Sequence, residues 1–228
     1  MKFGISIQTR GPTACPDSIT TTVRRAEEMG FYEVVLGDHI IFPNRITSSY
    51  PYSTDAVHPG SMEGETLEQL SLLTFIAAKT SRIRIVSGVM ILPNRNPLVA
   101  AKIRATIDVL SKGRLTVGVG VGWMREEFQT LNLPPFKERG SISNEYIRVF
   151  KELWSEDNPS FQGKYCSFSN IRFMPKPIQK PHPPIWIGGE SPAALKRAAA
   201  LGDGWHPIGL NRRYPLETVD QIQKATAR

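Results

Sequence analysis

The sequence predicts an α/β domain built on a parallel sheet, and three observations carry that expectation. Short apolar runs alternate with longer segments of helical periodicity along most of the chain, the pattern of strands joined by helical crossovers. The runs are rich in Val, Ile and Leu and nearly continuous, as in strands covered on both faces. The residues of unusual chemistry stand directly after these runs, at the carboxyl ends where an α/β barrel gathers its site.

Taken in order, Lys2 to Ile7 alternates as a strand, and Asp17 to Met29 reads as a helix closed by Gly30. Tyr32 to Leu36 is a second strand, Thr66 to Lys79 a helix, and Ile83 to Val89 a β-branched third strand. Pro97 to Leu110 is a helix with Pro at its first position, where the missing N–H removes no hydrogen bond. Arg114 to Val121 is a strand, Ser143 to Trp154 a helix, Ile185 to Ile187 a short buried strand, and Pro192 to Leu201 a helix ended by Gly202. Gly204 to Ile208 is one more strand, and a final helix starts near Leu216. Two loops, Phe42 to Glu65 and Ser155 to Pro184, interrupt the rhythm. Both exceed the ~12 to 15 residues usual for structureless connections, which marks them as carriers of function.

A barrel and an open doubly wound sheet both fit this rhythm. The doubly wound fold wants a glycine fingerprint straight after its first strand. That position here reads Gln8-Thr9-Arg10-Gly11-Pro12, and Gly118-x-Gly120-x-Gly122 comes too late and ends in Trp123. The expectation is therefore a (β/α)₈ barrel occupying residues 1–228 as a single domain.

Composition narrows the function. No apolar run approaches the ~20 residues of a membrane-spanning helix, and the chain opens on a strand rather than a signal segment, so a cytoplasmic location is expected. Cys15 and Cys166 stand far apart, without disulfide or redox spacing. The net charge of +7 suits an anionic partner, but the basic residues are scattered and no nucleic-acid motif is present, so a solvated surface is the simpler reading. The four histidines show no metal-ligand spacing and no serine nucleophile elbow occurs, so neither metal nor acyl-transfer chemistry is indicated.

Three clusters remain. Asp38-His39 follows the second strand; a carboxylate beside an imidazole can orient the ring and move a proton, and it can equally be a capped turn. Gly188-Gly189-Glu190-Ser191-Pro192 stands before a helix, where backbone N–H groups can meet an anion, and where Ser191 and Pro192 are also good capping residues. Gly118, Gly120 and Gly122 weaken a strand, so they either admit a flat ring at the barrel mouth or relieve crowding inside it. His206, after Trp205, is a further candidate to face the site.

These clusters, together with Thr80 to Val89, the Pro93-Asn94-Arg95-Asn96-Pro97 turn, Asp108 to Leu115, Gly118 to Trp123 with Glu126-Glu127-Phe128, and Pro184 to Gly189, resemble the luciferase-like monooxygenase family, in particular its branch dependent on the deazaflavin coenzyme F420. The resemblance spans nearly the whole chain. It implies a barrel of the bacterial-luciferase type that binds F420 or FMN at its mouth and moves a hydride to or from the ring. It implies an irregularity, sometimes a cis peptide, at Gly88-Val89 behind the ring, with Asp38 and His39 beside cofactor and substrate. Gly120, Gly122 and Trp123, with Gly188, Gly189, Glu190 and Ser191, would receive the cofactor and its phosphate.

A small-molecule substrate, a homodimer and a separate flavin or F420 reductase belong to the same expectation. Two departures stand out. Arg139-Gly140 is followed by Ser141-Ile142-Ser143 where relatives commonly carry a second arginine. Only six strands are counted against the eight of a closed barrel, so the last strands are expected to be missing from this chain. An F420-dependent oxidoreductase ranks first, an FMN-dependent monooxygenase second, and a non-catalytic flavin-binding protein third.

Overall fold

The computed structural model describes residues 1–58 and 66–227, so the end of the first long loop lies outside the described residues. β1 (Gly4–Ser6) leads to α1 (Pro16–Glu28), and β2 (Glu33–Leu36) to the long connection before α2 (Gln69–Lys79). β3 (Arg84–Ser87), β4 (Met90–Ile91), α3 (Pro97–Leu110), β5 (Leu115–Gly120), α4 (Arg125–Thr130) and α5 (Arg139–Ser155) follow. A hairpin of β6 (Phe161–Gln162) and β7 (Ser167–Phe168) precedes β8 (Ile185–Gly188), α6 (Pro192–Leu201), β9 (Gly204–His206) and α7 (Val219–Thr226).

The main sheet runs β1-β2-β3-β5-β8-β9 with β4 beside β5, and every pairing in it is parallel. β1 and β9 form the two edges, so the sheet is a partial barrel. On its outer face Val34, Leu36, Ile85, Val117, Val119, Ile185 and Ile187 are buried in one apolar cluster with residues of the covering helices, among them Val23, Leu73, Ile76, Ala101, Ile107, Ile147 and Phe150. Each such aliphatic side chain contributes roughly 1.5–3 kcal/mol when fully buried. This layer makes the strand ends a rigid platform.

Local chemistry sets the boundaries. The Asn96 side chain accepts from Leu98 N and Val99 N ahead of Pro97, fixing the start of α3. α2 begins at Gln69 rather than Thr66, because Glu68 stays extended and caps Ser71 N. α5 begins at Arg139, earlier than the expected Ser143, because a 3₁₀ turn over Phe136–Glu138 runs directly into it. The second long loop contains the unforeseen hairpin, pinned when the buried Glu145 carboxylate accepts from Lys164 N, Tyr165 N and Cys166 N. The third strand, expected to run through Val89, stops at Ser87. The Gly88–Val89 peptide is cis, and pairing resumes with Met90 opposite Val119.

Candidate active site

The site is built at the carboxyl ends of β2, β4, β5 and β8. Val89, delivered by the cis peptide, packs where glycines leave room. A Cβ on Gly120 would lie 2.6 Å from Val89 Cγ2, and one on Gly188 would lie 2.7 Å from Val89 Cγ1. One on Gly88 would come within 2.1 Å of Val35 Cγ1 and 3.3 Å of His206 Nε2. Gly120 and Gly188 therefore make room for Val89, and Gly118 and Gly122, whose added Cβ atoms would meet Ser87 O at 2.0 Å and Phe128 Cε2 at 2.9 Å, also stand at crowded positions. The result is a half-buried valine seated on glycine backbone at the strand ends. His206 lies on this inner face, stacked on Trp186 with ring centroids 5.9 Å apart, and burial pushes its imidazole down.

The Asp38-His39 pair separates into two roles. Asp38, expected to orient His39, instead takes a bidentate contact from Arg95, Nη1 to Oδ2 at 2.7 Å and Nη2 to Oδ1 at 2.8 Å, and accepts from Ile91 N at 2.9 Å. A carboxylate so saturated is structural, and it ties the end of β2 to β4 and the following turn. The orienting group is Glu127, whose Oε2 lies 3.0 Å from His39 Nδ1 and whose Oε1 accepts from Ile40 N at 2.8 Å. Burial alone would raise the Glu127 carboxyl, but the bond from His39, its charge and the Ile40 N–H outweigh it and hold the group below the usual carboxylate range. An ionised carboxylate only accepts hydrogen bonds. His39 therefore carries its proton on Nδ1 and presents Nε2 elsewhere. Asn94, also buried, adjoins Glu127.

A roof of aromatic rings comes from the loop after β2. Phe42 stands 4.7 Å from His39 between centroids, His58 stacks on Trp123 at 5.8 Å, and Tyr50 packs against both His58 and Trp123. Burial, followed by the charges of His39 and Arg10, pushes the His58 imidazole down to about 4, so it is neutral near pH 7. Trp123, expected among the cofactor contacts, belongs to this box. The loop is secured at two points. Glu126 accepts from Thr47 N, Thr47 Oγ1 and Ser48 N on one side. On the other, Tyr52 shares hydrogen bonds with Glu190 and Asn211, and burial together with the Glu190 charge pushes its phenol up.

The end of β8 divides similarly. Gly189 has φ +96 and Ser191 caps α6 through Ala194 N at 3.2 Å, so the capping chemistry is present and an extended peptide leads into the helix start. Glu190, expected at the cofactor, turns its buried carboxylate to Ile208 N, Gly209 N and Asn211 Nδ2, accepting from each and fastening the segment after β9. Gly122, with φ +83, brings the chain past Phe128 and Ile91 into Trp123.

The chain as a whole is similar to known proteins. The family model of the luciferase-like monooxygenases matches residues 1–228. The chain belongs to that family. An uncharacterised protein of Mycobacterium tuberculosis is 30% identical over all of this chain and 80% of its own length. The FMNH(2)-dependent dimethylsulfone monooxygenase of Pseudomonas putida is 34% identical over 70% of this chain and 44% of its own. Among solved structures, an F420-dependent secondary alcohol dehydrogenase in complex with an F420-acetone adduct superposes with a TM-score of 0.70 at 22% identity. The chain is covered to 99% there and spans 65% of that chain. The luciferase-like fold is thus shared with proteins of both cofactor types. No helix among the described residues is long and apolar enough to cross a membrane.

Glu127, Arg95, Tyr50, Tyr52 and His58 are not singled out by the sequence alone. Glu127 stands in the Glu126-Glu127-Phe128 motif that carries the resemblance, but only the fold shows its approach to His39 across 88 positions.

Proposed function

We propose that this luciferase-like protein is an oxidoreductase that transfers a hydride between F420 and a small organic substrate, with His39 handling the accompanying proton. The observation that carries the reading is the contact between His39 Nδ1 and the buried Glu127 carboxylate, which fixes the tautomer and leaves Nε2 for the substrate. When bound, the deazaflavin supplies the hydride acceptor or donor.

The chain's own residues supply the rest. Neutral His39 takes a proton at Nε2 from a substrate hydroxyl, and as imidazolium it returns one to a carbonyl oxygen, with Glu127 stabilising the charged ring. Phe42, Tyr50 and Trp123 exclude water from that exchange. The Val89 floor would hold the ring, and the peptide N–H groups around Gly189 at the start of α6 would meet the phosphate. The P. putida monooxygenase similarity favours a second reading, FMN-dependent oxygenation fed by a separate reductase.

The test is to titrate F420 and FMN separately and follow cofactor fluorescence, then to assay F420 reduction against a panel of alcohols. Binding of F420 with alcohol-dependent loss of its absorbance is the expected result. Preferential FMN binding with oxygen consumption overturns it in favour of the second reading.

A further inference from the structure

Beside the mouth, the guanidinium carbons of Arg139 and Arg125 lie over the ring of Phe136, 3.9 Å and 4.8 Å from its centroid. Both are within the ~6 Å range of cation–π attraction. The ring is itself held edge-on against the buried Phe128, centroids 5.1 Å apart. Two like charges gathered on one ring repel, and burial together with the Arg125 charge pushes Arg139 down.

The acidic residues nearest in sequence have other partners. Glu126 serves Thr47 and Ser48, Glu127 serves His39, and Glu138 serves Lys164 and Tyr165. Arg139 uses Nε for Gly122 O and Nη1 for Phe136 O, which fixes its plane and leaves Nη2 without a hydrogen bond among the described residues. The Arg125 side chain is exposed.

The position is also specific. Arg139 touches the Gly122 segment of the mouth. Its neighbour Gly140 accepts from Arg197 of α6, the helix whose start is the phosphate candidate. A chain leaving that phosphate along the mouth would meet the two guanidiniums. Planar guanidiniums pair with carboxylates and phosphates by parallel hydrogen bonds, and with the phosphate already assigned to the start of α6, carboxylate is the chemistry left for this pair.

We propose that Arg125, Phe136 and Arg139 form a carboxylate-binding site that receives the acidic tail of the deazaflavin cofactor. The occupant rests on the F420 reading above, and FMN has no such tail. The test titrates intact F420 and the same deazaflavin stripped of its phosphate and carboxylate tail into the wild-type protein and Arg125→Gln. A parallel series follows the melting temperature of both proteins in citrate. The Arg125 side chain is exposed and lies over the Phe136 ring, so the variant is expected to fold.

The expected result is about 5–10-fold weaker binding of intact F420 to Arg125→Gln, with an intermediate value for Arg125→Lys and no change for the stripped ring. Equal affinities of wild type and variant for intact F420, or equal weakening of both ligands, overturn the site and leave a solvated surface pair. If neither deazaflavin binds wild type, the F420 reading fails and the tail is overturned as occupant. Citrate then decides the site itself: stabilisation lost in Arg125→Gln upholds it, and identical melting curves overturn it.

Discussion

His39 and Glu127, 88 positions apart, meet through a 3.0 Å contact between Nδ1 and Oε2. The same carboxylate holds the backbone N–H of Ile40, so ring and strand end are oriented by one group. We expect His39→Ala to lower turnover by ~10²-fold or more with little change in cofactor affinity. Glu127→Gln should lower kcat about 10-fold, with Glu127→Asp between. ¹⁵N NMR of the His39 ring distinguishes orientation from mere support: Nδ1 should be protonated in wild type and a tautomer mixture should arise in Glu127→Gln. An unchanged ring spectrum alongside reduced activity would refute the orienting role.

Asp38 should behave differently. Its side chain is fully buried against Arg95, itself mostly buried, and removing one partner of such a pair costs ~3–5 kcal/mol. Asp38→Asn retains shape and part of the hydrogen bonding, so a loss of about 2–3 kcal/mol is expected in urea unfolding. Folded enzyme should keep turnover within a few-fold of wild type. A hundredfold loss of turnover with unchanged stability would return Asp38 to the chemistry.

His58 gives a pH signature. Its imidazole titrates at about 4 in the fold against an ordinary 6.5, so between those values the unfolded chain binds the extra proton. Stability should fall as pH drops from 6.5 towards 4, and that part of the slope should vanish in His58→Gln. The stacked Trp123 offers a probe: its fluorescence should change with a midpoint near 4, and a midpoint near 6.5 would contradict the buried, neutral ring.

The phosphate assignment can be tested at Gly189. A Cβ there would meet Ala194 Cβ only at 3.5 Å, but φ +96 is costly for other residues. Gly189→Ala measures that cost alone. Gly189→Asp adds a carboxylate at the helix start and should weaken cofactor binding at least ~10-fold beyond the alanine variant. Equal affinities for the two variants would leave only the capping role of Ser191.

Much of the fold is legible in the sequence because its signals are local. Pro97 and Pro192 mark helix starts, Val-rich runs mark covered strands, and the α3 and α6 boundaries follow from those cues. The break after Ser87 comes from resemblance, since periodicity alone carries Ile83 onward without interruption. The site is less legible because its pairings are long-range. Adjacency in sequence suggests that Asp38 serves His39, yet successive residues leaving a strand diverge, and each finds a partner from another element, Arg95 and Glu127. Glu190 parts from its sequence neighbours in the same way. Its neighbours Gly189 and Ser191 lie at the helix start, while its own carboxylate reaches the segment after β9.

The loop after β2 hangs from the sheet at Thr47 and Ser48 on one side and at Tyr52 on the other. Between these fastenings Tyr50 stands against His58 and Trp123, while the fastenings themselves grip α4 and the end of β8. The span is therefore an interchangeable cassette. Grafting a loop of other composition between retained anchors would retune which molecules enter without disturbing the sheet, and descendants of this chain can diverge in diet while inheriting the same floor.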